Sequence, residues 1–506
     1  MASLLDLPVE VLNHILESLD GNDKPTFFQL SLVCNALKEL VTPIMYRTVV
    51  LWELNSKTYQ GAPVPSFLYS ILSSPTRASM VKTFAITSSA CQATAEMVDF
   101  DIFRARLREL AVDKTILDLW EKYIFDNRKS WTDNGLSGCT ALLAALNLPN
   151  LNTLFFGGTF TYWHWDLLNS ILRNGNQVTD RDPGCDFWPK LDAVTIHNMW
   201  DKNPENTAPL MTFASLPNIK RLSGILLLDM EVAPETILSQ SPAPYSTELE
   251  ELVIQPGCYL HQDYMEILLQ APKNLQVFKT HASRALANTT FKTRWLEGLL
   301  SHQSHALREI SLTHSFYESE EVYQASEFDE VAEIDPMSLS SFTSLETLEI
   351  SSAFVFGREA LQLAKDKFFR ATFALDPSEG DIESTRHYIV QMLPGSIRTL
   401  RFAQCNNYWE LKRLNSALME LFTGRDELFP NLKVVEVHMI YYQKTDWASQ
   451  LHGSRLAAIE RGIDFRVFKG GRLGVESVGG ESVRNVYSLH YADGDARLQE
   501  IDIHSD

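Results

Sequence analysis

Cysteine is scarce and unpatterned. Six occur in 506 residues, at 34, 91, 139, 185, 258 and 405, and none forms a C-x-x-C pair. That spacing excludes a zinc ribbon, a dithiol redox motif and a small disulfide-stapled scaffold. It points to free, mostly buried thiols in a reducing compartment, cytoplasmic or nuclear. Positive charge is also short: 44 Lys and Arg face 64 Asp and Glu, a formal net charge of −20. A general binder of phosphate backbones needs clustered Lys and Arg, so nucleic acid is not expected as a partner. Anionic membrane surfaces are disfavoured for the same reason. Long apolar runs are missing too, and none approaches the roughly 18 residues of a membrane span. Asp6, Glu10 and Glu17 interrupt the first apolar run, and no basic region precedes it, so it does not read as a signal peptide.

Catalytic signatures are equally thin. There is no H-E-x-x-H and no G-x-S-x-G. KGGRLG at 469–474 lacks the Walker spacing and its Lys-Ser/Thr ending. His302-x-x-His305 would share a helix face but has no third ligand nearby. Glu320-Glu321 lies in a polar stretch without the burial that tunes acid pairs. The sequence therefore predicts no catalytic residue, no metal and no cofactor. Hydrophobic residues make up 45% of the chain, which is the composition of a folded protein.

Residues 4 to 51 have their own rhythm. Leu7, Val11, Leu12, Ile15, Leu16 and Leu19 recur at steps of three and four, one apolar helical face. Pro8 suits the first helical turn and Glu10 its positive end. Gly21-Asn22-Asp23 should end that helix and Lys24-Pro25 open the next segment. Ser31 is placed to cap a third helix through Val33, Cys34, Leu37, Leu40 and Val41, stopped by Pro43. Cys34 reads as a small core residue. Three helices this short bury little by themselves, so one face should pack on the next domain of the chain.

This stretch resembles the F-box family. The matching residues are Leu7-Pro8-x-Glu10-Val11-Leu12, then Ile15-Leu16 and Leu19, then Leu30 to Cys34, Leu37, and Met45-Tyr46-Arg47. The tryptophan that many F-boxes carry after the Val-Cys pair is absent; Asn35-Ala36-Leu37 stands there. The resemblance implies binding to the Skp adaptor of a Skp–cullin–F-box ubiquitin ligase, through Leu7, Pro8, Val11, Leu12, Ile15, Leu16, Leu32 and Val33.

Beyond residue 51 a short unit keeps returning: apolar, two variable, apolar, one variable, apolar. It reads VKTFAI (81–86), LNTLFF (151–156), LDAVTI (191–196), LEELVI (249–254), LREISL (307–312), LETLEI (345–350), IRTLRF (397–402) and LKVVEV (432–437). IKRLSG (219–224) and LQVFKT (275–280) are weaker copies. Most come after a block such as LPN, WPK, FTS, LPGS or FPN. The last two apolar positions alternate as in a strand with one buried face. TVVLWEL (48–54) and FRVF (465–468) also read as strands. Helix-like stretches fall at 66–72, 95–126, 165–172, 264–269, 291–300, 385–393, 411–422 and 456–463.

Strand-then-helix repetition is the mark of a solenoid. It resembles the leucine-rich repeat family, especially the irregular repeats that follow F-boxes in fungal proteins. Spacing is uneven and mostly wider than the roughly 20–29 residues of compact repeats. The consensus Asn or Cys after the strand is visible once, as Cys405. The expected architecture is α/β: a short N-terminal three-helix F-box, then an irregular leucine-rich-repeat-like solenoid with parallel strands concave and helices convex. The boundaries would be 1–51 for the F-box, 52–126 for a connecting segment with the first irregular repeats, 127–469 for the solenoid, and 470–506 for a Gly-rich linker and a C-terminal β-hairpin.

Two insertions stand out. Residues 315–336 carry eight acids and no Lys or Arg, the pattern of a solvated loop. Residues 157–188 hold Tyr162, Trp163 and Trp165, which would pack an insertion or serve as a binding hot spot. The resemblances together imply the substrate-recognition subunit of the ligase, doing no bond chemistry itself. Cullin would be reached through the adaptor, and a protein substrate would meet the third and fifth repeat positions, taken to face outward from the core. These include Arg221, Glu251, Lys279, Glu309, Glu349, Arg401 and Glu436. A non-degradative scaffold on the same modules is the alternative reading.

Overall fold

The computed structural model describes residues 7–19, 24–52, 63–88, 141–158, 188–198, 208–225, 242–254, 262–282, 293–314, 337–351, 389–403, 408–439, 450–469 and 499–500, with 105, 118, 168, 258, 354, 355 and 405. Three helices open the chain: α1 (Val9–Ser18), α2 (Lys24–Val33) and α3 (Asn35–Arg47). Their boundaries correct two expectations. Pro8 is the N-cap of α1, one residue before its first turn. Ser31 does not cap a helix; it lies inside α2 and donates its hydroxyl to Phe28 O at 2.6 Å. The cap is Cys34, whose extended backbone breaks α2 from α3 and whose Sγ accepts the Leu37 N–H at 3.5 Å. Pro43 does not stop α3 either. Its ring removes the donor for Glu39 C=O, but Glu39 and Pro43 are both exposed, where water satisfies that carbonyl. Gly21-Asn22-Asp23 lies outside the described residues.

Among the described residues, thirteen strands come next: β1 (Thr48–Trp52), β2 (Thr83–Ser88), β3 (Thr153–Gly158), β4 (Ala193–Asn198), β5 (Arg221–Ile225), β6 (Glu251–Ile254), β7 (Val277–Ala282), β8 (Glu309–His314), β9 (Thr347–Ser351), β10 (Thr399–Ala403), β11 (Val434–Met439), β12 (Asp464–Lys469) and β13 (Gln499–Glu500). The motif copies, weak ones included, are strands. The chain divides into two compact units, the first mainly residues up to Leu222 and the second mainly those from Ser223 on. In the first, β1, β2, β3 and β4 pair in chain order, all parallel. In the second, β6 through β12 do the same, and β13 pairs antiparallel with β12. Each unit is a stack of parallel strands with helices, as in an α/β solenoid.

The repeat explains its own register. The first, fourth and sixth motif positions are the core: Val81, Phe84 and Ile86, or Leu345, Leu348 and Ile350, are all 1% exposed or less. Rings from the helices meet them, with Phe67 of α4 (Pro63–Leu72) stacked 5.4 Å from Phe84 and Phe213 6.2 Å from Phe156. At the second position one carbonyl takes two amides from the next repeat. Lys82 O accepts from Asn152 and Thr153, Glu250 O from Gln276 and Val277, and Arg398 O from Lys433 and Val434. The introductory blocks are turns. In LPNL and FPNL the residue before Pro accepts the N–H three residues on, Leu148 from Leu151 at 3.3 Å and Phe429 from Leu432 at 3.0 Å, with Pro presetting the φ that such turns need.

The small polar residue closing each turn links it to the turn before. Asn150 Nδ2 donates to Ser79 O (2.7 Å), Asn218 Nδ2 to Pro189 O (3.0 Å), Ser344 Oγ to His305 O (2.7 Å) and Ser396 Oγ to Leu345 O (2.8 Å). Gln303 does this from inside the core. Fully buried, it accepts the Leu275 N–H through Oε1 at 3.2 Å and donates through Nε2 to Pro272 O at 2.8 Å. Gln303→Leu leaves both backbone groups buried and unpaired, at about 1–3 kcal/mol each. Urea denaturation should show the loss in the second unit; an unchanged midpoint would contradict this role.

Helices Gln262–Gln270, Thr293–Ser301, Tyr408–Thr423 and His452–Glu460 match expected ones within a few residues. Ala208–Ala214 is a helix that the sequence does not announce, since its seven residues are too few for a periodicity. The predicted helix at 95–126, the aromatic and acidic insertions and most of the C-terminal hairpin lie outside the described residues; of these, Ala105, Asp118 and Leu168 are helical.

Candidate docking surfaces

α1 carries two apolar stripes where the sequence suggested one. Leu12 and Leu16, each 5% exposed, turn inward. Leu16 packs on Phe27 of α2 and Val41 of α3, rimmed by Leu19, Leu30, Leu40, Ile44 and Met45. This sets Leu12 and Leu16 apart from the rest of the expected contact set: steps of three and four group both stripes together, and only packing tells which one the bundle consumes. Leu7, Val11 and Ile15 form the second stripe and stay exposed, as do Pro8 and Val9. On α2, Leu32 is 70% and Val33 68% exposed, with Phe28 alongside at 56%. Sequence reasoning misses Phe28 and Val9; the Phe28–Leu32 step of four is the available signal. This much uncovered apolar surface on three short helices marks an interaction site.

The opposite side of the bundle is tied down. Tyr46 Oη meets Ser70 Oγ at 3.0 Å, and Arg77 donates to the same oxygen at 3.1 Å while its guanidinium lies 5.9 Å from the Tyr46 ring centroid. Arg47 O at the end of α3 accepts the Lys82 N–H that begins the first repeat. The helices therefore enter the repeats through α3.

A second surface lies on the strands, across from the helices. In the second unit the fifth repeat positions form one row in register: Lys279, Ser311, Glu349, Arg401, Glu436 and Arg466. They satisfy one another. Lys279 Nζ lies 2.9 Å from Glu309 Oε1, Ser311 Oγ donates to Glu349 Oε2 at 2.7 Å, and Arg401 Nε donates to Glu436 Oε2 at 2.7 Å. Lys279, Glu309, Glu349, Arg401 and Glu436 are thus brought together, with Arg466, as a strip of three basic and three acidic side chains. Glu251, on β6, is partly buried. In the first unit Arg221 pairs with Asp192 at 3.1 Å. There the fifth positions Ala85, Phe155 and Thr195 are buried, which corrects the expectation that this position always faces out.

Two groups on this surface respond to pH. Glu436 is held below its ordinary 4.5, chiefly by the His438 imidazole 3.7 Å away and further by Arg401, with burial opposing them. His281 Nδ1 lies 2.7 Å from Thr313 Oγ1, and burial lowers this imidazole from 6.5 to about 4. A depressed histidine favours the neutral form in the native state. Its contribution is full above 6.5 and is lost as pH falls from 6.5 toward 4. The denaturation midpoint should fall across that window, and His281→Gln should flatten the fall; an identical profile would refute the assignment.

His302 and His305 do not share a helix. They lie in the turn after Thr293–Ser301, both exposed. Among the described residues no group of three or more His, Cys, Asp or Glu is placed to hold a metal. None of the described helices is long and apolar enough to cross a membrane. Cys34 is half-buried, Cys258 and Cys405 are buried, and none of the three is in a disulfide. Cys405 also joins the backbone ladder, its N–H donating to His438 O at 3.0 Å.

No curated protein matches the chain. A family model for the F-box domain matches residues 4–44, the span of the three helices whose outer faces are apolar and uncovered, so an F-box domain is found at the head of this chain.

Proposed function

We propose that this protein is the substrate-recognition subunit of a Skp–cullin–F-box ubiquitin ligase. The F-box helices bind the Skp adaptor, the adaptor links to a cullin, and the repeats hold a protein substrate. The carrying observation is the exposed apolar set Leu7, Pro8, Val11, Ile15, Leu32 and Val33 on the matched helices. Burying such side chains is the main source of affinity in an interface of this kind. Chemistry would belong to the conjugating enzyme, with this chain supplying proximity. For the substrate, Arg221, Glu251, Lys279, Glu309, Glu349, Arg401 and Glu436 remain the proposed contacts. The pairing along the strip Lys279, Glu309, Glu349, Arg401 and Glu436 favours a partner that matches alternating charge over one recognised by net sign.

Co-expression with the adaptor tests the first half. Co-purification of a stoichiometric complex is expected, and a folded chain that stays alone would overturn it. Adaptor-dependent ubiquitylation of a bound protein tests the second half. Binding without ubiquitylation would mean a scaffold built on the same modules.

A further inference from the structure

We infer that residues 501–504 continue β13 along the outer edge of β12 and close that end of the second unit. Among the described residues β12 is the last parallel strand of the sheet, and it is less covered than the strands before it. Leu348, Leu400 and Val435 hold the fourth repeat position on β9, β10 and β11, and each is fully buried. Phe465 holds that place on β12 and is only half-buried, its ring meeting Phe422 edge-on at 6.1 Å. The helix before it, His452–Glu460, is bare as well. Ser454 and Ala458 face inward, and the Ser454 hydroxyl donates to Asn415 Oδ1 of the preceding helix at 2.6 Å. At 100° per residue Leu456 and Ile459 fall on the opposite side, and they are 49% and 62% exposed. A stack of repeats needs a cap over such an end.

The register of β13 selects the occupant. Glu500 stands opposite Phe468 and Gln499 opposite Lys469, so β13 takes up only these two of the six residues of β12. Continued residue by residue, the same antiparallel pairing sets Ile501 opposite Val467, Asp502 opposite Arg466, Ile503 opposite Phe465 and His504 opposite Asp464. Directly opposed residues share a face of the sheet. Ile501 and Ile503 therefore fall on the core side, beside buried Val467 and half-buried Phe465. Asp502 falls on the other face, where it carries the alternating row Glu349, Arg401, Glu436, Arg466 one acid further. A slip by one residue would reverse both matches, setting the isoleucines on the charged row and Asp502 on the core side. An open strand edge is a template for any other strand; taken up by residues 501–504, it is closed to a partner's strand and to a second copy of this chain. The inference is independent of adaptor and substrate binding.

Cysteine pairs in the full chain test it, since opposed side chains of antiparallel strands come within disulfide reach. Arg466→Cys is combined with Asp502→Cys, or with Ile503→Cys as the out-of-register control. Arg466 is partly exposed, so its replacement spares the core. Each chain is oxidised with copper phenanthroline in native buffer, and the linked peptides are identified by mass spectrometry. A 466–502 link within one chain, forming severalfold faster than a 466–503 link, is the expected result. Equal rates for the two pairs, or no 466–502 link, would overturn the proposal. So would a 466–502 link found only between two chains, which would give the edge to a second copy. Thermal unfolding supplies a second readout. Ile503→Asp should lower the midpoint by several degrees and Ser505→Asp should not; an unchanged midpoint in Ile503→Asp would equally overturn it.

Discussion

Ile15→Asp should abolish capture of the adaptor while leaving the helices folded, and Leu16→Asp should unfold them. The two residues are adjacent in α1, yet they belong to different stripes. Ile15 is 38% exposed and Leu16 is 5% exposed. A carboxylate at 15 points to water in the free chain and costs little there. In the complex it would enter the proposed apolar contact, where desolvating a charge is expensive. Loss of a central interface contact is worth about 2 kcal/mol or more, roughly thirtyfold in affinity. At position 16 the same carboxylate is buried against Phe27 and Val41 before any partner arrives. The expected destabilisation is about 4 kcal/mol or more, comparable with the whole stability of a small helical module. Circular dichroism and adaptor pull-down on both variants separate the cases. A folded Leu16→Asp, or an Ile15→Asp that still binds, would move the interface elsewhere on the bundle. Leu32→Asp should behave like Ile15→Asp, since Leu32 is 70% exposed.

Phe402→Ala should destabilise the second unit by about 3–5 kcal/mol, whereas Arg401→Ala beside it should cost far less. Both lie on β10, and successive strand residues face opposite ways. Phe402 is fully buried in the sixth, core-facing position. Truncating it removes its burial and leaves a cavity that neighbours fixed in a parallel ladder on both sides, Ile350 on β9 and Val437 on β11, cannot collapse to fill. Arg401 loses its pair with Glu436, but its side chain is 35% exposed, so solvent screening reduces that cost. Because each repeat contacts only its neighbours, the Phe402→Ala damage should spread along the second unit. Hydrogen exchange across β9 to β11 would show it, and uniform protection in the variant would refute it.

Local information was enough for much of this fold. Ten strands could be placed from the six-residue motif because its first, fourth and sixth positions must be apolar to line one core. The turn blocks were visible because Pro presets φ and Asn or Ser supplies a linking side chain. The F-box was legible from spaced residues across its three helices. What failed was local chemistry with more than one solution. A cysteine cap is rare, so Ser31 looked better than Cys34; an exposed proline can sit within a helix, so Pro43 looked like a stop.

The sequence alone thus determined where the repeat strands lie and several of the helices between them, that the strands repeat, and that the first helix is apolar well beyond what a single buried stripe needs. Only tertiary packing decided which of its stripes is left for a partner, since burial depends on what α2 and α3 bring against it. Packing likewise decided that the strand charges meet one another across register, because residues 35 apart in sequence, such as Arg401 and Glu436, become neighbours only when parallel strands align.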